Sequence, residues 1–110
     1  MANAKTARIQ ALNDAFRRSF QNGQGVMTSG ISALPEPTRA AILKQVGEFS
    51  VFTKANDPHK EHDFGNFEHD GNKIYWKIDY YNIAMDGGSE VPTDPAQTTR
   101  VLTIMLASEY

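Results

Sequence analysis

The chain predicts an α+β fold: a small antiparallel sheet centred on a hairpin over residues 64–81, with two or three helices packed on it. Three observations carry this expectation. Two segments place apolar residues at spacings of three and four, the helical period. One segment, Lys73 to Tyr81, alternates its side chains at the period of a strand. Asp70-Gly71, a hairpin-turn dipeptide, separates that segment from an aromatic run ahead of it. The chain has 110 residues, 40% of them apolar and 22% charged. That balance suits one globular domain over 1–110 and is far from disorder.

In chain order, Thr6 to Gln21 reads as an amphipathic helix with Ile9, Leu12, Phe16 and Phe20 on its buried stripe and Arg17 off it. Asn22-Gly23 follows as a left-handed cap. Gly25 to Gly30 is a short strand bounded by glycines. Leu34-Pro35-Glu36-Pro37 opens a second helix, because proline suits the first helical turn, where its missing N–H has no partner to lose. Ala40, Ile42, Leu43 and Val46 form its inner face. Phe49 to Thr53 is a strand or the approach to one, and Asn56-Asp57-Pro58 is a turn. The hairpin arms are Phe64–His69 and Lys73–Tyr81. Ile74, Trp76, Ile78 and Tyr80 take the core face of the second arm, and Lys73, Tyr75, Lys77, Asp79 and Tyr81 take the other. Asn82 to Pro92 is a loop. Asp94-Pro95 resembles a helix start, which predicts a third helix to about Ala107. The β-branched residues after Thr98 keep a strand over 101–106 as the alternative.

Composition removes several function classes. The chain has no cysteine, so a disulfide scaffold, a cysteine-zinc site and thiol catalysis are excluded. No apolar run approaches the ~20 residues of a membrane span, and the start lacks a signal-type apolar stretch, so a cytoplasmic protein is expected. Residues 1–50 carry a net +3 and residues 51–110 a net −5. An acidic half repels phosphates, which argues against direct nucleic-acid binding.

All three histidines, His59, His62 and His69, fall within eleven residues and stand among acids. His59, His62 and Asp63 are the donor types of a transition-metal site, which makes a small metal-dependent enzyme the alternative reading. The segment reads as a loop, where such spacing does not make the rings converge, so no metal or other cofactor is expected. His62-Asp63 with one of the serines would be a hydrolase pair, but no serine lies in a G-x-S-x-G context. Tyr75, Trp76, Tyr80 and Tyr81 raise base stacking and a nucleic-acid-associated regulator, against which their acidic neighbours argue. Exposed tyrosines beside acids suit a protein interface. The expected binding residues are therefore Glu61, Asp63, Tyr75, Lys77, Asp79 and Tyr81. The expected partner is a protein with a basic surface, and the expected function is non-catalytic protein binding.

The runs Asp57 to Gly65, Trp76 to Tyr81 and Arg100 to Tyr110, with the helix of Arg8 to Phe20, resemble a family of small proteobacterial proteins known only as a domain of unknown function. The resemblance implies no activity, cofactor or catalytic residue. Its setting among plasmid and phage genes implies an accessory role, such as an inhibitor of a host defence system of anti-CRISPR or anti-restriction type. Lys60 stands where the family pattern has glycine, and aromatic residues take the place of His59 in it.

Overall fold

The computed structural model describes residues 3–110. Helix α1 (Ala4–Ser19) starts where Asn3 Oδ1 accepts the Thr6 amide at 2.8 Å and ends at Phe20, whose φ of 55° is left-handed. Strand β1 (Gln24–Met27) and the short helix α2 (Ser29–Ser32) follow. Helix α3 (Glu36–Glu48) begins after Pro35. Strands β2 (Phe64–His69) and β3 (Asn72–Tyr81) form the hairpin, and β4 (Thr99–Leu106) ends in a single 3₁₀ turn, Ala107–Glu109. None of the described helices is long and apolar enough to cross a membrane.

The sheet order is β1-β4-β3-β2. β2 and β3 pair antiparallel, as expected, β4 joins them antiparallel to β3, and β1 pairs parallel to β4. The hairpin therefore occupies one side of a mixed sheet whose middle is β3 and β4.

The predicted third helix is a strand. Thr99, Val101, Thr103 and Ile104 restrict χ1 and fit a pleated surface better than a helical turn. Asp94-Pro95 opens a turn: Asp94 Oδ1 accepts the Ala96 amide at 2.9 Å, and its Oδ2 accepts from the Gln97 side chain at 2.8 Å. Phe49 to Thr53 is not a strand either. It is irregular chain that delivers the Phe49 and Phe52 rings edge-on to Trp76, at centroid distances of 5.5 and 6.2 Å.

The three helices share one face of the sheet. Phe16 of α1, Ile31 of α2 and Ile42 and Val46 of α3 enclose Ile74, Trp76, Ile78, Leu102 and Ile104. Register explains the alignment, since Trp76 lies between Gly65 and Ile104, and Ile78 lies opposite Leu102. Trp76 is fully buried. A Cβ on Gly65 would come within 2.5 Å of its indole nitrogen, so the strand glycine makes room for the ring.

Helix faces differ in part from the periodic expectation. α1 buries Ile9, Asn13, Phe16 and Arg17, while Phe20, at the left-handed helix end, is exposed. Arg17 can lie inside because its Nη1 and Nη2 donors are satisfied there, as described below, while its Nε is buried with no hydrogen-bond partner among the described residues. In α3, Ile42 and Val46 point inward and Ala40 is exposed. Gly23 does not cap α1: Phe20 and Asn22 take the positive φ values, and a Cβ at 23 would stand 2.7 Å from the Phe16 ring and the Arg100 carbonyl.

Candidate functional site

The segment between α3 and β2 is held by one buried carboxylate. Asp57 Oδ1 accepts the amides of Glu61 and His62 at 3.0 and 3.1 Å. This turn carries positive φ at Lys60 (59°) and His62 (56°). Lys60 thus stands, at the position where glycine was expected, in the backbone conformation glycine adopts most easily.

The turn delivers His62 to α1. The imidazole stacks on Phe52 at 3.8 Å and 5°, and its Nδ1 lies 2.9 Å from Asp14 Oδ1. The same carboxylate accepts from Arg17 at 2.9 Å. Arg17 also donates to the carbonyls of Val46, Gly47 and Phe49 at 2.9, 3.3 and 2.7 Å, which ties α1 to the end of α3. Burial lowers its pKa, opposed by the bond to Asp14. The carboxylates facing His62 are Asp14 and Asp57, not Asp63.

A second arm of the network involves Glu61, expected at the binding surface. Its side chain turns inward and accepts from the Tyr80 hydroxyl at 2.7 Å. Asn13 donates to that hydroxyl and to the Glu61 carbonyl, and Asn13 Oδ1 accepts from Arg100 Nε at 2.7 Å. Burial, then the bond to Glu61, raises the Tyr80 pKa. Burial lowers that of Arg100. These groups satisfy one another inside the fold, which identifies a buried scaffold. Asn13 has a sequence signal in retrospect, because it lies four residues after Ile9 and three before Phe16, on the apolar stripe itself.

The histidines do not converge. His62 lines a depression with Gln10, Phe52 and Lys54, while His59 lines a different one with Asp63 and Phe64. His69 binds the Gln45 side chain at 2.7 Å. Among the described residues, no group of three or more histidine, aspartate and glutamate side chains is placed to hold a metal ion.

The sheet face turned away from the helices carries the other expected residues. The pleat puts Tyr75, Lys77, Asp79 and Tyr81 on it together. Lys77 Nζ and Asp79 Oδ2 lie 2.7 Å apart, with more than a third of each side chain exposed. That bond raises the Lys77 pKa. Phe64, Tyr75 and Tyr110 make an aromatic triad, with centroid distances of 5.4, 5.2 and 5.9 Å. Asp63 joins His59, Lys77, Asp79 and Tyr110 around a shallow depression beside the triad. Burial, then the nearby Glu61 charge, raises the Asp63 pKa. Its carboxylate makes no ion pair or side-chain hydrogen bond among the described residues. Tyr110 carried no sequence signal, since its place depends on the 3₁₀ turn that follows β4.

A family described as Protein of unknown function (DUF3768) matches residues 27–109. The chain belongs to that family. The matched region holds α2, α3 and strands β2 to β4, while α1 and nearly all of β1 precede it. Within the DUF3768 region lie Tyr75, Lys77, Asp79 and Tyr81 of the open face, and the turn of residues 57–63, while Val26 and Tyr110 of that face lie outside it. Asn13, Asp14 and Arg17, which clamp that turn, lie outside it. No curated protein and no solved structure matches the chain.

Proposed function

We propose that this DUF3768 protein is a non-catalytic protein-binding module that uses the open sheet face, and that its partner presents a basic surface. The observation that supports this reading is the company Asp63 keeps. A half-buried carboxylate without a counter-charge stands beside three clustered aromatic rings and an exposed Lys77–Asp79 pair. A lysine or arginine of the partner would supply the missing charge, and Tyr75 and Tyr81 would supply contact area of the kind that dominates protein interfaces. The network on the other face holds α1, α3 and the 57–63 turn together through hydrogen bonds among its own groups. A role as a mobile-element inhibitor of a host defence system is the biological form this module would take on the setting implied by the resemblance.

The test is quantitative affinity capture from bacterial lysate with wild type and with Tyr81→Ala combined with Asp79→Lys. The double variant should fold normally by circular dichroism and lose the specific interactor. Capture by wild type should weaken as salt rises, because screening reaches about 10 Å at 0.1 M. An interactor retained equally by the folded double variant overturns the reading.

A further inference from the structure

The edge of the sheet beyond the open face supports a separate inference. β2 pairs with β3 on one side only, so its other edge has no partner strand among the described residues. The Ile78 amide donates to the Asp63 carbonyl at 2.8 Å, which marks Asp63 and Ile78 as a hydrogen-bonded pair in this antiparallel register. Such pairs recur at every second residue. The backbone groups of Gly65 and Phe67 therefore point to β3, and those of Phe64, Asn66 and Glu68 point outward. These outward groups make no hydrogen bond among the described residues. The edge has no proline, no bulge and no lysine, and Glu68 is the one acidic side chain on it. A groove runs beside it, lined by the apolar Phe49, Val51 and Phe67 and by polar residues that include Gln45, Glu48 and Asn66, and Val51 is 66% exposed.

We infer that this edge pairs with the same edge of a second copy, antiparallel, with the twofold axis at Asn66, giving one continuous sheet across two chains. The register is self-complementary. Asn66 faces its own copy, Phe64 faces Glu68, and no like charges meet. On the helix side Phe67, whose ring packs against its own core, faces Gly65 of the other copy, which opposes it with no side chain, so the two backbones can approach without a clash. A shift of one residue would set the outward groups of one copy against groups turned towards β3 in the other, and a shift of two would set Phe67 against Phe67 or Gly65 against Gly65, so the axis at Asn66 is the favoured register. The pairing also sets the two open faces side by side on one surface.

Sedimentation velocity of the full chain up to about 1 mM should show a mass rising towards a dimer. The chain has no cysteine, so Asn66→Cys gives a clean probe at the axis, where an antiparallel pair brings Cα atoms to about 5.5 Å, within disulfide range. Under mild oxidation it should form a covalent dimer at least about tenfold faster than Lys73→Cys, an exposed control on the same sheet face. Asn66→Pro removes an outward N–H and should yield a folded monomer; if it does not fold, the crosslinking rate of Asn66→Cys decides alone. A wild type that stays monomeric overturns the inference. So does association that folded Asn66→Pro leaves intact, or crosslinking of Asn66→Cys no faster than that of Lys73→Cys.

Discussion

Replacing Gly65 by alanine tests the packing of the core at its tightest point. The added Cβ would lie 2.5 Å from Trp76 Nε1, 2.7 Å from Cε2 and 2.8 Å from Cζ2. Comfortable carbon contacts begin near 3.5 Å, so the ring or the strand must yield by close to 1 Å. The indole has little room to retreat. Phe49 and Phe52 meet it edge-on at 5.5 and 6.2 Å, and the Arg17 guanidinium lies over it at 5.1 Å. Overpacking of this kind costs about 1–3 kcal/mol. The reduced freedom of the unfolded chain offsets about 0.4–1 kcal/mol of that. Gly65→Ala should therefore lower stability by about 1–2 kcal/mol in urea unfolding followed by circular dichroism. The decisive measurement is the same substitution in a Trp76→Leu background. A smaller side chain vacates the space, so most of the Gly65→Ala cost should disappear, a coupling of about 1 kcal/mol or more. An equal cost in both backgrounds would refute the steric account and leave only a backbone effect.

Asp14→Asn should cost about 3–5 kcal/mol, because it leaves the buried Arg17 guanidinium without its carboxylate and removes the partner of His62. A thermal midpoint within error of wild type would show that the three backbone carbonyls suffice for Arg17. Asp63→Asn should raise stability at neutral pH. The folded state lifts the Asp63 pKa, so the ionised carboxylate opposes folding, and this cost grows as pH rises from the ordinary value of 3.8 to the raised one. The gain should be complete above the raised pKa and vanish below 3.8, and urea midpoints measured across about pH 3 to 7 would expose the opposite sign.

The hairpin was legible because its information is local. Asp70-Gly71 sets the turn, and the alternation from Ile74 to Tyr80 sets the face. β4 was legible only as the alternative strand over 101–106, because its neighbours are distant in sequence. Gln24 pairs with Val101, and nothing within either segment announces the other. Asp94-Pro95 fits a turn as well as a helix start, so the decision lay with β-branching and sheet pairing. The same division runs through the site. Tyr75, Lys77, Asp79 and Tyr81 share a face by the pleat alone. Glu61 was misplaced because its direction is set by Asn13 and Tyr80, and His62 finds Asp14 across 48 positions.

These two kinds of legibility bear on how substitutions should separate. The Tyr75–Tyr81 row of the open face lies on β3 inside residues 27–109, and no side-chain hydrogen bond or ion pair among the described residues joins Tyr75, Lys77, Asp79 or Tyr81 to the α1 network. The 57–63 turn is different. Asp57 shapes it from within, but His62 and Glu61 are held by Asp14 and Asn13 of α1. Lys60 and His62 both carry positive φ, a cost of roughly 1–2 kcal/mol each for residues with a Cβ. Tertiary bonds from α1 offset that cost, so weakening α1 should first release the turn and with it Asp63 at the rim of the open face. Substitutions in α1 would then reach the proposed contact surface through Asp63 and leave the Tyr75–Tyr81 row of β3 in place.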